Sequence, residues 1–395
     1  MTGATAGRRM GEAQRRRLAD SFAALCRVYS PSRSERGCAE IVRAELGELG
    51  IEVVEDGAGV ALGGDCGNLL ARLPGGGEGS LLFCAHLDTV PAAAPIEPVL
   101  IGGGWENAND AILGADNKAA VAVLLELARQ LVEVPAEAAV ELLFTVGEEI
   151  GLLGAKEFQS GVLRSPVGYT FDAPLPIGTV IVSSPTYYRV SAELRGVAAH
   201  AGVSPEDGRS AILAAARGIA QMRLGRLDRE TTANIGIIAG GSAANVVPDR
   251  CSVVGEARSL DPARAEEVAS SLVACLADAA NDPECECDLD VRIEREFDGY
   301  RVRGSAPELT LATDALRACG YEPELVFSGG GSDVNALRAK GCAVLNLGNG
   351  TERPHETTER VSAAALEGTL DLARALVTEA GASRRAGRAG APAGE

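Results

Sequence analysis

The chain has 395 residues, a length that suits two or three domains. With 46% hydrophobic and 23% charged residues it can bury a sizeable core and is not a disordered chain. Its 37 Lys and Arg against 55 Asp and Glu give a formal charge of −18, which argues against nucleic acid or an anionic membrane as the main partner, because both require a cationic face. No apolar run reaches the roughly eighteen residues of a transmembrane helix. The N-terminal stretch is basic with no apolar segment behind it, so it does not read as a secretory signal. The ten cysteines are scattered and never form a CxxC pair, which fits reduced, mostly buried thiols in a cytoplasmic chain.

In chain order, residues 12–29 and 36–49 carry apolar residues at helical spacing, and IEVVE alternates like a strand. Three short apolar runs follow, SLLFCAHLDTV (80–90), AVELLFTVGEE (139–149) and VGYTFDAP (167–174), each ending in acidic or His residues. Between the first two lies NKAAVAVLLELARQLVEV, an apolar helix. Strand, helix, strand predicts a βαβ unit and a mostly parallel sheet with functional groups at the C-terminal strand ends. The middle changes character. YYRVSAELRGVAA (187–199), TANIGIIAGG, CSVVGEARSL and DLDVRIERE read as strands, with helices over 205–223 and 262–281. That order fits a ferredoxin-like sandwich. Beyond 297 the first pattern resumes, with helices at 305–319, 332–340 and 362–380 and strands at ELVFS and CAVLNLG.

The expected fold is therefore α/β. A mixed, mostly parallel sheet with helices on both faces forms a catalytic-type domain from 1–182 and 298–380. It is interrupted by an inserted ferredoxin-like α+β domain at 183–297, and 381–395 reads as a disordered tail.

The chain has only three His, and each falls in a polar loop or at a strand end. His86 lies two residues before Asp88. In a strand the two point the same way, so Asp88 can bond one imidazole nitrogen and leave the other for a metal. Asp116 sits just before a helix, where an N-cap is the ordinary role for Asp. Glu148 and Glu149 follow a buried run; as neighbours on a strand end they are expected to point apart and take different roles. Asp172 repeats the strand-end theme, and His355 lies in the Gly/Pro-punctuated loop NGTERPHETTE. Each has a bland reading alone. Together they form a ligand set for two zinc-like ions about 3.5–4 Å apart that share a carboxylate and a water, with a spare Glu as general base.

The stretches FCAHLDTVP, LGADNKAAVA, LFTVGEEIGLLGAK, GVAAHAGVSPEDGRSAI, TTANIGIIAGGSAANVVPDR, GEARSL, SGGGSDVNAL and PHETTERV resemble the di-zinc exopeptidase and aminoacylase superfamily. That superfamily includes peptidase T, carboxypeptidase G and acetylornithine deacetylase, and the peptidase T-like subgroup is the nearest match. The resemblance spans about residues 80 to 362 in the family's order. It implies that His86 and Asp172 hold one Zn2+, that Glu149 and His355 hold the other, and that Asp116 bridges both across a cis Asp116–Asn117 peptide. Asp88 would orient His86. Glu148 would take a proton from a hydroxide-forming water shared by the two ions and return it to the leaving amine. His200 would reach the site of a partner subunit in a homodimer and stabilise the oxyanion. Asn245, Arg258, Gly330 and Gly331 would contact the substrate. Cobalt or manganese suits the same ligands.

Asp at position 172 tilts the expectation toward an aminopeptidase acting on short peptides. An N-acyl amino acid amidohydrolase, or a carboxypeptidase or dipeptidase, is the alternative on the same site. IGGGWENANDAIL (101–113) fits the family pattern poorly and bears on substrate preference. Two further readings carry less: a non-catalytic scaffold, which predicts a lost ligand, and a thiol hydrolase using Cys84, which lies inside an apolar run.

Overall fold

The computed structural model describes residues 10–77 and 79–389. The chain divides into two compact units. One comprises the residues up to Val182, Val302–Phe327 and those from Ser332 on; the other comprises Ser183–Arg301 and Ser328–Gly331.

The first unit is built on a mixed sheet. Its strands lie in the order Val53–Glu55, Leu69–Leu73, Ala139–Thr145, Ser80–His86, Val167–Ala173, Ala343–Gly348, Thr179–Ser184. The four central strands are parallel and the flanking ones antiparallel. Alternation along Ser80–His86 divides its side chains between two buried faces. Leu81, Phe83 and Ala85 join the main core with Phe22 and Leu25 of helix Glu12–Arg27, Leu124 of helix Ala115–Glu133 and Leu376 of helix Ala363–Ala389. Phe83 stacks on Phe171 with ring centroids 5.8 Å apart. Leu82 and Cys84 face the other way and are equally buried, as are Val334 and Leu337 of helix Asp333–Ala339, which packs on strand Ala343–Gly348. Helices thus cover both faces, as the patterning predicts. A sheet buried on both sides needs near-continuous apolar strands, and SLLFCA supplies one.

Leu69–Leu73 and Thr179–Ser184 are among the strands that were not expected. Leu69–Leu73 is short and interrupted by Arg72, which pairs with Glu141 on the neighbouring strand. Thr179–Ser184 lies at the chain crossing between the units. The poorly fitting segment 101–113 forms most of a hairpin, Pro98–Ile101 with Gly104–Asn107, turned by Gly102 and Gly103 at φ 56° and 79°. Two consecutive positive φ values suit glycine in a tight hairpin turn. Gly104 has a separate reason, because a Cβ there would meet the Arg360 guanidinium at 2.1 Å.

The second unit is a five-stranded antiparallel sheet whose long strands are Thr231–Gly240, Arg250–Ser259, Thr186–Arg195 and Asp288–Phe297, in that spatial order. With helices Ala211–Gln221 and Pro262–Ala280 the chain order is βαββαβ, the ferredoxin-like arrangement. Leu194, Ala215, Val253 and Leu276 pack in one core cluster of this unit, and Val190, Val268 and Leu272 in another.

Three expected boundaries move. The helix drawn at 205–223 starts at Ala211, because Ser210 caps it by accepting from the Leu213 N–H at 3.2 Å; Pro205–Asp207 is a separate 3-10 turn. The second unit runs to Arg301 rather than 297 and takes in Ser328–Gly331. The tail expected from 381 is helical to Ala389, as part of Ala363–Ala389, because its Ala and Arg residues continue a strong helix former. Residues 390–395 lie outside the described residues.

Candidate metal centre

Three adjacent parallel strands carry the site. His86 is the last residue of Ser80–His86, Thr145 opposite it ends Ala139–Thr145, and Asp172 lies near the end of Val167–Ala173. Ligands collect where parallel strands terminate, because the backbone there turns away and leaves room for side chains.

Asp116 stands at the start of helix Ala115–Glu133, but its backbone is extended (φ −81°, ψ 104°) and the Asp116–Asn117 peptide is cis. The backbone is non-helical through Asn117, and the Asp116 carboxylate faces two His rather than the helix N–H groups. The Asp116 Oδ1 lies 3.2 Å from His86 Nε2 and its Oδ2 3.6 Å from His355 Nε2. Asp172 Oδ1 is 3.5 Å from the same His86 nitrogen and accepts from Asn117 Nδ2 at 2.5 Å. His355 has φ 66° and meets Glu149 Oε1 at 3.0 Å.

Two groups of potential ligand atoms follow, each lying within 4.8 Å of one another: His86, Asp116 and Asp172, and Asp116, Glu149 and His355. Asp116 is common to both. Two nitrogens and three carboxylates sharing one bridging acid suit a pair of divalent cations, and the residues present fit that role.

The Glu pair corrects one expectation. Glu148 and Glu149 do not point apart: each offers a carboxylate oxygen that, with a His86 ring nitrogen, lies within a 4.8 Å cluster. They lie past the end of Ala139–Thr145, beyond Gly147 with φ 62°, so strand alternation no longer governs them. Asp88 corrects another. His86 Nδ1 bonds the Asp88 backbone carbonyl at 2.9 Å, while the Asp88 carboxylate is 3.5 Å away. That carboxylate is taken by the N–H groups of Glu148 and Glu149 and by the Ser32 hydroxyl at 2.6 Å.

The electrostatics follow from burial and crowding. Burial raises Glu148 well above the ordinary carboxyl range, with Asp172 and Asp333 adding to the effect and His86 opposing it. Burial, then Asp116, pushes Asp172 up to about 7. His86 is raised well above its usual value: burial opposes this, but its bonds to Asp116, Asp172 and Asp88 prevail. The bond to Glu149 raises His355 to about 9. Burial drives the Cys84 thiol well up, so Cys84 is no thiolate nucleophile.

Sequence reasoning missed the supports. Glu359, 2% exposed, accepts the N–H groups of Leu113, Gly114 and Asp116 at 2.8, 2.7 and 2.9 Å and so holds the Asp116 loop. Its signal was an acid inside PHETTERV. The Ser32 bond to Asp88 and the Asn117 bond to Asp172 were missed too; nothing near Ser32 marks it, whereas Asn117 lies inside the LGADNKAAVA stretch.

His200, Asn245, Arg258, Gly330 and Gly331 belong to the second unit. His200 is exposed, and its Nδ1 accepts from the Gly202 N–H at 3.2 Å. Asn245 lies beside it, with the Ala201 N–H donating to the Asn245 carbonyl at 2.9 Å. The Arg258 guanidinium is already engaged: it donates to both Glu256 oxygens at 3.1 and 3.0 Å and lies 4.3 Å from the Tyr187 ring centroid. A Cβ on Gly331 would strike the Phe297 ring at 2.3 Å, so packing also requires a glycine there. Gly330 accepts from the Ser184 hydroxyl through its carbonyl, at 2.8 Å.

A parallel-centred α/β sheet with His and carboxylate side chains gathered near its strand ends fits a metallohydrolase class of protein. Residues 82–379 match the family description Peptidase family M20/M25/M40, and the chain belongs to that family. It is 35% identical over 367 residues to the uncharacterized protein YqjE of Bacillus subtilis, covering 92% of this chain and 98% of that one. Among solved structures it is similar to the aminopeptidase PepT of Bacillus cereus (35% identity, TM-score 0.82, 93% and 98% of the two chains). It is also similar to a tripeptidase of Staphylococcus aureus (32% identity, TM-score 0.87, 93% and 99%). The chain is a hydrolytic, metal-dependent peptidase. No helix among the described residues is long and apolar enough to cross a membrane.

Proposed function

We propose that this chain is a two-zinc aminopeptidase that removes the N-terminal residue of short peptides in the cytoplasm. The observation that carries the reading is Asp116, one of whose oxygens lies 3.2 Å from His86 and the other 3.6 Å from His355. The names of the aminopeptidase and tripeptidase relatives support the substrate class.

In this reading His86 and Asp172 would hold one ion, Glu149 and His355 the other, and Asp116 would serve both. Divalent ions held there would supply Lewis-acid polarisation of the scissile carbonyl and a water acidified toward neutral pH. Glu148 accepts the proton of that water and delivers it to the departing amine. Burial raises its affinity for a proton, which suits the accepting half of the transfer. Asp88 fixes the Glu148 backbone and the His86 ring at once. Asn245, Arg258, Gly330 and Gly331 serve substrate recognition, with Arg258 exchanging Glu256 for a substrate carboxylate. His200, exposed on the second unit, serves the site of a second copy in a homodimer and stabilises the oxyanion.

The test is hydrolysis of free tripeptides against N-acetyl amino acids and N-blocked peptides, before and after chelation and zinc add-back. Release of the N-terminal residue, lost on chelation and restored by zinc, is the expected result. Cleavage of N-acetyl amino acids alone moves the assignment to an amidohydrolase, in keeping with the acetylornithine deacetylase of Myxococcus xanthus, 28% identical over 309 residues. A fully active monomer in light scattering overturns the role given to His200.

A further inference from the structure

A second group of ligand-type side chains lies within the first unit, away from the five residues above. One carboxylate oxygen each from Glu35 and Asp65 and the Cys66 sulfur lie within 4.8 Å of one another. Glu35 stands at the N-cap position of helix Arg36–Glu48 but makes no cap bond. Its side chain turns inward, is 1% exposed, and accepts the Gly147 N–H through Oε1 at 2.9 Å. The other oxygen, Oε2, is buried without a hydrogen-bond partner. A buried, half-satisfied carboxylate costs free energy unless a proton or a cation completes it. Burial accordingly raises Glu35 to about 7.

A cavity of ≈ 10 Å³ beside it is lined by Glu35 and Cys66 together with Arg33, Leu62, Val146 and Ile150, Asp65 lying outside this lining; it has room for about one water or one ion. Cys66 is buried, and burial followed by the neighbouring Glu35 and Asp65 charges pushes its thiol up, the effect a bound cation would reverse. The loop is held by its neighbours. The Arg36 N–H donates to Asp65 Oδ1 at 3.0 Å, and its guanidinium donates to the Asp65 carbonyl while pairing with Glu55. A Cβ on Gly59 would meet the Cys66 carbonyl at 2.4 Å, so glycine there is needed for the close approach.

We propose that Glu35, Asp65 and Cys66 form a further cation site that takes a single divalent ion of the zinc class, with solvent completing its shell. On binding, the Cys66 thiol gives its proton to solvent and the thiolate and two carboxylates become the ligands. Because Glu35 also holds the Gly147 N–H, the ion ties residues 35 and 65–66 to the loop that carries Glu148 and Glu149. The site is independent of the two-zinc reading, since none of the residues assigned to that pair is a cysteine.

That difference sets the experiment. The full-length protein is stripped of metal, loaded with Co2+, and examined by absorption spectroscopy and metal analysis. The expected result is a thiolate-to-cobalt charge-transfer band in wild type that C66S abolishes, with one ion per chain fewer in C66S and in E35Q. D65N, at an exposed position, is expected to weaken cobalt binding at this band by about tenfold or more. Absence of the band in cobalt-saturated wild type overturns the proposal, as does a band that survives C66S. If C66S fails to fold by circular dichroism, D65N decides: a band with unchanged intensity and midpoint overturns the site. The readouts are the band and the metal content, not peptidase activity, so failure here and failure of the aminopeptidase assignment are separable.

Discussion

The Asp88 carboxylate accepts the backbone N–H of Glu148 at 3.0 Å through one oxygen and that of Glu149 at 3.1 Å through the other. The same residue's main-chain carbonyl bonds His86 Nδ1 at 2.9 Å. One fully buried residue therefore aligns the proposed base, one proposed ligand on the Glu loop and one on the strand. D88N replaces one acceptor oxygen with a donor facing another donor. We expect kcat to fall about 10–100-fold while KM changes far less, the pattern of a positioning residue. Steady-state kinetics on a tripeptide check this, and an unchanged kcat removes the role.

Glu148 has no part in the two ligand groups that share Asp116. Glu148→Gln is therefore expected to keep the metal content of wild type and lose about 10²–10⁴ in turnover. Metal analysis and single-turnover kinetics on one preparation separate this from a ligand defect. Wild-type turnover with full metal content would show that another group moves the proton.

Glu359 satisfies three backbone N–H groups from a buried position. In Glu359→Gln one acceptor becomes an amide and leaves at least one donor unpaired, at a cost of about 1–3 kcal/mol. Denaturant unfolding should show that loss. Activity should fall with it, because Asp116 is one of the residues held. A variant as stable as wild type would mean the loop is anchored elsewhere.

Glu55 gives a pH dependence away from the residues assigned to the two-zinc pair. Its bonds to Arg36, then Gly67 and Arg43, hold its carboxyl at about 2, below the ordinary value of 4.5. The folded state thus binds the proton more weakly than the unfolded chain. The resulting stability, about 1–3 kcal/mol after allowing for partial exposure, is fully present above pH 4.5 and lost as pH falls toward 2. Stability of wild type should drop more steeply than that of Glu55→Gln over this window, and the two should converge at its acid end. Parallel curves in acid-titrated urea melts would show that the Arg36 pairing contributes nothing.

Chelation leaves Asp116, Asp172, Glu148 and Glu149 crowded around His86 and His355 with no divalent charge among them. We expect the melting temperature to fall and zinc to restore it; each ion present at a hundred times its Kd adds about 2.7 kcal/mol. Differential scanning calorimetry with and without chelator reads this directly. No change in the melting temperature would mean that the folded chain binds no ion at these residues.

Much of the architecture was legible because apolar strands that end in His or acid are rare outside such sheets. SLLFCAH and VGYTFD announced the strands and placed a His and an Asp at their ends. Legibility failed where long-range backbone bonds decide the geometry. Glu148 and Glu149 read as strand residues with opposite directions, yet a turn at Gly147 swings both into one cluster. Glu359 acts through N–H groups more than 240 positions earlier, a separation no local pattern encodes. The tail misread has the opposite cause: small residues looked like linker, but alanine is the best helix former available.

Strand Ala343–Gly348 lies between Val167–Ala173 and Thr179–Ser184 in the sheet, and both His355 and Glu359 follow it in the chain. The gap it fills must stay open while the ribosome makes the whole second unit. Neither the sheet nor the ligand set can close until that late strand emerges. On the ligand assignment proposed above, the nascent chain has no complete metal site until His355 has been made.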